Sequence, residues 1–187
     1  MQEKIYLRPL SLRDINEKYL FWVNDPAVTK YLEIGSQKLT INDLIKYVEE
    51  SPKKGRHNYA IVTQNSLQHI GNGSLYSIEP RNKTFEIGWF IGEKNFWGGQ
   101  YSSMIIFYLL KVGFIKMGLE KCIGGVEKEN IKARMTNKFS GFKETKSHFL
   151  IKNNKKTPFI NLELTKKDWL IRTKTLHLEY PELFDEI

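Results

Sequence analysis

The chain has 187 residues, of which 41% are apolar and 27% are charged, a composition typical of one folded globular domain and not of a disordered segment. Its longest apolar run, residues 104–110, is too short for a bilayer span of roughly 20 residues. The first ten residues lack the apolar core of an export signal. We therefore expect a cytoplasmic protein with no membrane partner. The single cysteine, Cys122, excludes an internal disulfide and is expected to be a small buried thiol.

The chain is basic, with 29 lysines and arginines against 21 acidic residues and a net charge of +8. Such a charge raises nucleic acid as a partner. The lysine clusters, however, are not interleaved with aromatic residues as a base-stacking surface would be. We therefore expect no nucleic-acid partner, and note that a positive field also suits an anionic small molecule.

The first third of the chain predicts one strand followed by helices. The alternation of residues 4–8 indicates a strand that ends at Pro9. Ser11 is a predicted helix cap with Asp14 as its capping-box partner, and Thr40 is predicted to cap a later helix. Between them, residues 28–32 predict a short helix.

The rest of the chain predicts a mixed sheet. Strands are predicted at residues 59–63, 70–78, 84–91, 121–126, 147–151 and 157–164, and helices at 101–116 and 131–139. This order of elements indicates the α/β class, with antiparallel and parallel strands in one sheet and helices on both faces.

Residues 89–106, WFIGEKNFWGGQYSSMII, predict a strand, a glycine turn and an apolar helix. Free amides at the start of a helix can bind an anion such as phosphate, and glycine allows the ligand to approach the backbone. The predicted donors are Gly98, Gly99, Tyr101, Ser102 and Ser103. Spacing alone leaves a simple tight turn equally open. Neither a Walker loop nor a dinucleotide fingerprint is present.

Four segments carry a family resemblance: IYLRPLSLRDI, WVNDPAVTKYL, EIGWFIGEKNFWGGQYSSMII and VEKENIKARMTNKFSGF. Together they resemble the GNAT superfamily of acetyl-coenzyme A-dependent N-acetyltransferases, over residues 1–170, with 171–187 as a tail. The similarity is to the branch of ribosomal-protein N-terminal and nucleotide-sugar amine acetyltransferases. The resemblance implies a GNAT-like fold, a mostly antiparallel central sheet splayed between strands 4 and 5, with helices on both faces.

The chain departs from the family pattern at three places. Gly99-Gln100 stands where the family loop usually has Lys-Gly, and Met104 replaces the usual glutamate. Asn137 occupies the position of a tyrosine that protonates the departing thiolate in many relatives. The resemblance therefore leaves the general acid unassigned.

The resemblance implies acetyl-CoA as co-substrate and direct attack by an amine, without a metal. By analogy the coenzyme is held by the following residues: Trp89, Phe90, Ile91, Gly98, Gly99, Gln100, Tyr101, Ser102, Ser103 and Asn130. Glu86 is the predicted general base, and we expect Phe85 and Trp89 to surround it with apolar surface. Asn24 and Tyr31 are expected to face the acceptor, whereas Trp22 is expected in the core. Ser74, Glu79 and the histidines are further candidates.

The acceptor remains open between two classes of amine. A nucleotide-linked amino sugar suits the basic charge, because its diphosphate is anionic, whereas a protein N-terminus is the alternative. A non-catalytic relative that keeps the fold for ligand binding is a third interpretation. The resemblance is compatible with a monomer or a homodimer.

Overall fold

The computed structural model describes residues 3–32, 37–98, 100–152 and 154–184. The strands are β1 (Ile5–Pro9), β2 (His57–Thr63), β3 (His69–Glu79), β4 (Thr84–Ile91), β5 (Lys121–Glu127), β6 (Lys143–Lys152) and β7 (Lys155–Thr165). The helices are α1 (Glu17–Asn24), α2 (Pro26–Thr29), α3 (Ile41–Glu50), α4 (Tyr101–Lys111), α5 (Ile131–Phe139) and α6 (Lys166–Glu179). A π-helical turn, Val112–Lys116, prolongs α4.

The strands form one sheet in the order β1-β2-β3-β4-β5-β7-β6. All neighbours are antiparallel except β4 and β5, which are parallel. These two pair only over Thr84–Glu86 and Lys121–Ile123, and then diverge. The gap between residues 87–91 of β4 and 124–127 of β5 is called the split below. The predicted mixed fold, with its opening between the fourth and fifth strands, is confirmed.

Two predicted helices differ from the structure near the N-terminus. Ser11 and Asp14 do form a capping box, but it encloses only a short 3-10 turn, Leu12–Asp14. The chain becomes extended at Ile15, and Asn16 starts α1 by accepting a hydrogen bond from the Tyr19 amide (3.0 Å). The next helix was predicted at residues 28–32 and instead begins at Pro26, because Asp25 caps it and proline favours the first helical position.

The polar tail expected from residue 171 begins inside a helix. Trp169, Thr173 and Leu176 of α6 are buried, as are Leu183 and Phe184 after it. Thr173 is a polar residue that interrupts the apolar pattern of this helix. Its hydroxyl donates to the Leu170 carbonyl (3.0 Å), which allows the side chain to be buried. The segment therefore packs onto the main core.

The core has two parts, one on each face of the sheet. The larger packs α4 and α6 against one face and includes Phe85, Cys122 and Trp169. The smaller lies under α1 and α3 and consists of Tyr19, Trp22, Val23 and Leu44. The expected burial of Trp22 and Cys122 is thus confirmed. Among the described helices, none is long and apolar enough to cross a membrane.

Candidate active site

The split exposes the backbone of β4 on one side. Gly92 donates to the Ile70 carbonyl (2.9 Å), and the Phe90 carbonyl approaches Gly71 so closely that a β-carbon there would lie 2.2 Å from it. Even-numbered residues of this stretch therefore turn their peptide groups towards β3. Because a strand alternates, Ile87 and Trp89 turn their N–H and C=O groups into the split. Phe90 differs from the other predicted coenzyme contacts, since its carbonyl points away from the gap.

The loop after β4 is fastened to the end of the split. The Trp97 indole N–H donates to the Ile91 carbonyl (2.8 Å), and the Phe96 ring packs edge-on against Tyr101 (5.2 Å between centroids). Gly98 has φ +87°, a conformation that favours glycine, and a β-carbon there would meet no atom within 4 Å. Gly99 lies outside the described residues. The loop thus brings the start of α4 beside the split and leaves open space over Gly98.

The N-terminus of α4 is suited to an anion. Its first i to i−4 hydrogen bond runs from the Met104 amide to the Gln100 carbonyl (2.9 Å), so the amides of residues 101–103 precede the helical ladder. The first turn contains no acidic residue, and Gln100 makes no capping hydrogen bond through its side chain. Ser102 is half-buried and Ser103 is buried. Pyrophosphate oxygens fit such a positive helix end.

Asn130 lies on the other side of the split, shortly after β5. Its Oδ1 accepts a hydrogen bond from the Ala133 amide (3.2 Å) and so caps α5. Within the described residues its side-chain NH₂ group has no protein acceptor. Asn130 can therefore cap the helix and donate to a ligand at the same time.

The face of β3 and β4 that points away from the main core carries polar groups beside the start of the split. Glu86 lies opposite Tyr76 of β3 and Ile123 of β5, at the last paired position. Gly88 follows on the same face, and a β-carbon there would lie 3.2 Å from Tyr76 Cε1 and 3.7 Å from Ser74 Oγ. Glu86, Tyr76 and Ser74 thus lie on one face around residue 88, and the Tyr76 ring borders the notch left by its missing side chain.

The prediction that Phe85 and Trp89 surround Glu86 with apolar surface is wrong. Phe85 is fully buried against Phe114 in the main core, and Trp89 packs on the same cluster. Side chains alternate along β4, so both aromatic residues lie on the face opposite Glu86. Polar Tyr76 and Ser74 are its neighbours instead.

The two residues expected to face the acceptor have structural contacts. The Asn24 side chain donates to the Leu20 and Leu39 carbonyls (both 3.0 Å) and accepts from the Leu39 amide (2.8 Å). It therefore joins the end of α1 to the segment before α3. Tyr31, after α2, receives Lys30 over its ring (4.9 Å). The Asn137 side chain is buried in α5.

A cluster of aromatic side chains around His69 lies under α1, in the smaller part of the core. His69 packs edge-on against Trp22 (5.1 Å) and Tyr19 (6.2 Å), and its Nε2 lies 2.8 Å from Asn72 Oδ1. Burial lowers the pKa of His69, while the Asn72 contact opposes that shift. A neutral, packed imidazole is a structural element rather than a base exposed to substrate.

Sequence reasoning did not single out Tyr76. The signal that indicates it is the alternation Asn72-Ser74-Tyr76, which places three polar side chains on one face of an otherwise small and apolar strand. That face is also the face of Glu86, which the register with β4 defines.

Known proteins share both the sequence pattern and the fold. The family model described as acetyltransferase (GNAT) domain matches residues 4–143. The Bacillus licheniformis protein named uncharacterised N-acetyltransferase p20 is 29% identical over 131 residues, 68% of this chain and 72% of that protein.

Two solved structures show the same architecture. A GNAT-family acetyltransferase from Bacillus anthracis superposes with a TM-score of 0.76 at 19% identity, covering 88% of this chain and 96% of that one. The spermidine N-acetyltransferase of Vibrio cholerae, solved with CoA and spermine, has a TM-score of 0.78 at 18% identity, covering 89% and 98%. With its split sheet, its glycine turn and a family match over residues 4–143, the chain belongs to the GNAT family of N-acetyltransferases.

Proposed function

We propose that this enzyme transfers the acetyl group of acetyl-CoA to a primary amine of a small molecule by direct attack on the thioester. The observation that carries the proposal is the split beside the uncapped N-terminus of α4. The two features lie next to each other because Trp97 ties the connecting loop to Ile91. One offers strand peptide groups to an amide-containing arm, and the other offers helix amides to a pyrophosphate.

Each side of the split has its own task in this proposal. Trp89 offers peptide groups to the pantetheine arm and the thioester oxygen, and Asn130 donates its side-chain amide from the β5 side. Residues 98–103 hold the pyrophosphate. The amine approaches from the face of β4 that carries Glu86 and Gly88, beside the Tyr76 ring, where orientation next to the thioester supplies much of the rate enhancement.

Glu86 is the proposed general base. It lies two residues before Gly88 and on the same face of β4, from which the amine approaches. A carboxylate oxygen can therefore take the ammonium proton directly or through one water. Asn24 and Tyr31 are proposed to shape the acceptor side, Asn24 by holding the chain at Leu39.

The proposed acceptor is the amine of a nucleotide-linked sugar, in line with the nucleotide-sugar branch of the family. The net charge of +8 supports an anionic substrate. A polyamine is the second candidate, because a neighbour in fold is a spermidine N-acetyltransferase solved with spermine. A protein N-terminus is the third, through the other branch of the resemblance.

The test is acetyl transfer measured as CoA thiol release, with the acetylated product identified by mass spectrometry. UDP-glucosamine, spermidine and a peptide with a free N-terminus serve as acceptors. We expect Glu86→Gln to lower kcat by about 10²- to 10⁴-fold, the range for general-base catalysis, with little change in acetyl-CoA binding. Glu179→Gln, at the exposed end of α6 and away from the split, is the matched control. Equal rates for wild type and Glu86→Gln would remove Glu86 from the mechanism, and no release with any amine would contradict the proposed activity.

A further inference from the structure

A groove opens beside the Gly88 notch, between α3 and the end of β3. Its volume is about 460 Å³, and its lining includes Tyr47, Arg56, Tyr76 and Ser77. Ser77 has φ +48°, and the register of β3 against β4 shifts between Tyr76 and Glu79. Bulges of this kind redirect side chains, and left-handed non-glycine residues concentrate at functional sites. The bulge therefore begins directly after Tyr76, one of the residues that line the groove.

Tyr76 connects the groove to the acceptor side of the split. Its ring packs over Gly88, with Oη 3.6 Å from the position of a β-carbon on that residue. The guanidinium carbon of Arg56 lies 4.2 Å from the centroid of the same ring. Arg56, Tyr76 and Gly88 thus form a continuous row from the groove to the notch.

Arg56 is held in place but keeps most of its donors. Its Nη1 donates to the Tyr47 hydroxyl (3.2 Å), which itself donates to Asn58 Oδ1 (2.9 Å). In the part of the chain that the structure describes, no carboxylate lies within ion-pair distance of Arg56. The other guanidinium N–H groups are therefore available to a ligand.

The two carboxylates in the lining are already engaged. Glu50 lies between Lys54 (3.0 Å) and Lys46 (3.9 Å). Asp43 accepts hydrogen bonds from the Thr40 amide (2.8 Å) and the Thr40 hydroxyl (2.6 Å) in a capping box. The groove lining has three basic residues against these two acidic ones, and Arg56 is the basic residue not held by a carboxylate among the described residues, so the groove is biased towards anions.

We infer that Arg56 binds an anionic phosphate or carboxylate group on the acceptor, at a fixed distance from the amine. This inference rests on the proposed function and narrows its substrate class. Arg56 immediately precedes β2, whose first pair with β3 is His57 and Leu75, so Arg56 lies beside Tyr76, and the split begins one strand beyond Tyr76. The anion therefore lies one to two strand spacings, roughly 5–10 Å, from the amine. A phosphorylated or nucleotide-linked amine meets that requirement, whereas a polyamine presents a cation to Arg56.

The test compares aminohexyl phosphate with diaminohexane, which present the same amine but opposite charges at the far end. We expect kcat/KM to favour the phosphate by at least about tenfold, as for a charge-assisted contact. Arg56→Gln should remove that preference, Arg56→Lys should restore part of it, and Lys53→Gln, which removes a charge outside the groove lining, should leave it unchanged.

Calorimetric titration of aminohexyl phosphate into the enzyme saturated with CoA gives a readout independent of turnover. CoA occupies the α4 terminus, so wild type should bind the phosphate and Arg56→Gln should bind it at least about tenfold more weakly. Equal binding by both variants, no binding by wild type, or a preference for the diamine would overturn the inference. A failure of the proposed function itself would appear separately, as absence of CoA thiol release with every amine while aminohexyl phosphate still binds.

Discussion

Gly92, the residue after β4, lies against the face of a buried indole. A β-carbon there would lie 2.1 Å from Trp22 Cδ2, and Trp22 is 2% exposed. The Trp22 N–H also donates to Glu93 Oε1 (3.1 Å), which fixes the ring. Gly92→Ala should therefore lower the free energy of unfolding by about 1–3 kcal/mol or more through overpacking.

Urea unfolding followed by tryptophan fluorescence measures this cost. Gly124→Ala is the matched control, since a β-carbon at Gly124 would meet no atom within 4 Å. We expect the control to remain within roughly 0.5 kcal/mol of wild type, as for a surface substitution. Equal stability of the two variants would contradict the packing described for Trp22.

Buried Asp14 forms an ion pair with the partly exposed Arg8, and this pair makes stability depend on pH. Its carboxylate accepts two hydrogen bonds from Arg8 (2.8 and 2.5 Å) and one from the Ser11 amide (2.8 Å). Burial alone would raise the pKa of Asp14, but the Arg8 and Ser11 contacts outweigh it and lower that pKa. A lowered carboxyl pKa contributes stability that is present above the unfolded value, near 4, and is lost as the pH falls through the folded value.

Acid unfolding of wild type and Asp14→Asn, followed by circular dichroism, measures this contribution. Wild type should lose stability as the pH falls below about 4, and Asp14→Asn should be less stable at neutral pH with a weaker dependence in that acid range. The same slope in both proteins would show that Asp14 does not contribute to the acid transition.

Two substitutions at Asn130 separate its role as the cap of α5 from its proposed role as a donor to the coenzyme. Asn130→Asp keeps the oxygen that accepts from Ala133 but loses the amide donor, whereas Asn130→Ala loses both. We expect Asp to keep near wild-type stability and Ala to cost about 1 kcal/mol, the usual loss for an N-cap. Both should weaken acetyl-CoA binding if the amide reaches the pantetheine arm.

Thermal unfolding and acetyl-CoA titration together check this prediction. Wild-type affinity in Asn130→Asp would leave Asn130 as a helix cap alone. The two measurements are needed because a loss of affinity in Asn130→Ala has two causes, the lost donor and a frayed helix.

Elements with one unambiguous start signal could be predicted from the sequence. The Thr40 and Asp43 capping box begins α3 at Ile41, and α5 has the predicted bounds. The start of α1 was predicted wrongly because Ser11 and Asn16 are both good caps, and in the structure Ser11 caps only a 3-10 turn. Helix α6 was not predicted, because buried Thr173 breaks its apolar pattern and the segment was expected to be a tail.

At the scale of the whole molecule, one part of the candidate site could be predicted from the sequence and the other part could not. Residues close in sequence, from Trp89 to Ser103, were predictable as a strand, turn and helix start. The proposed acceptor side combines Tyr76 of β3 with Glu86 of β4, residues distant in sequence that strand register brings together. Alternation was too irregular to assign faces in advance, so Phe85 and Trp89 were expected beside Glu86 and lie on the other face.

Binding of acetyl-CoA at the split is the central claim, and Gly98→Trp tests it most directly. The large side chain would fill the space over the turn, and φ +87° disfavours any side chain there. Gly118→Trp is the matched control, because Gly118 also has positive φ (+69°) and open space but lies beyond the far end of α4.

The deciding measurement is calorimetric titration of the three proteins with acetyl-CoA. Wild type and Gly118→Trp should bind with similar Kd in the micromolar range, and Gly98→Trp should show no binding. No binding by wild type, or equal binding by all three, would contradict the account and leave the glycine turn as a simple connection between β4 and α4.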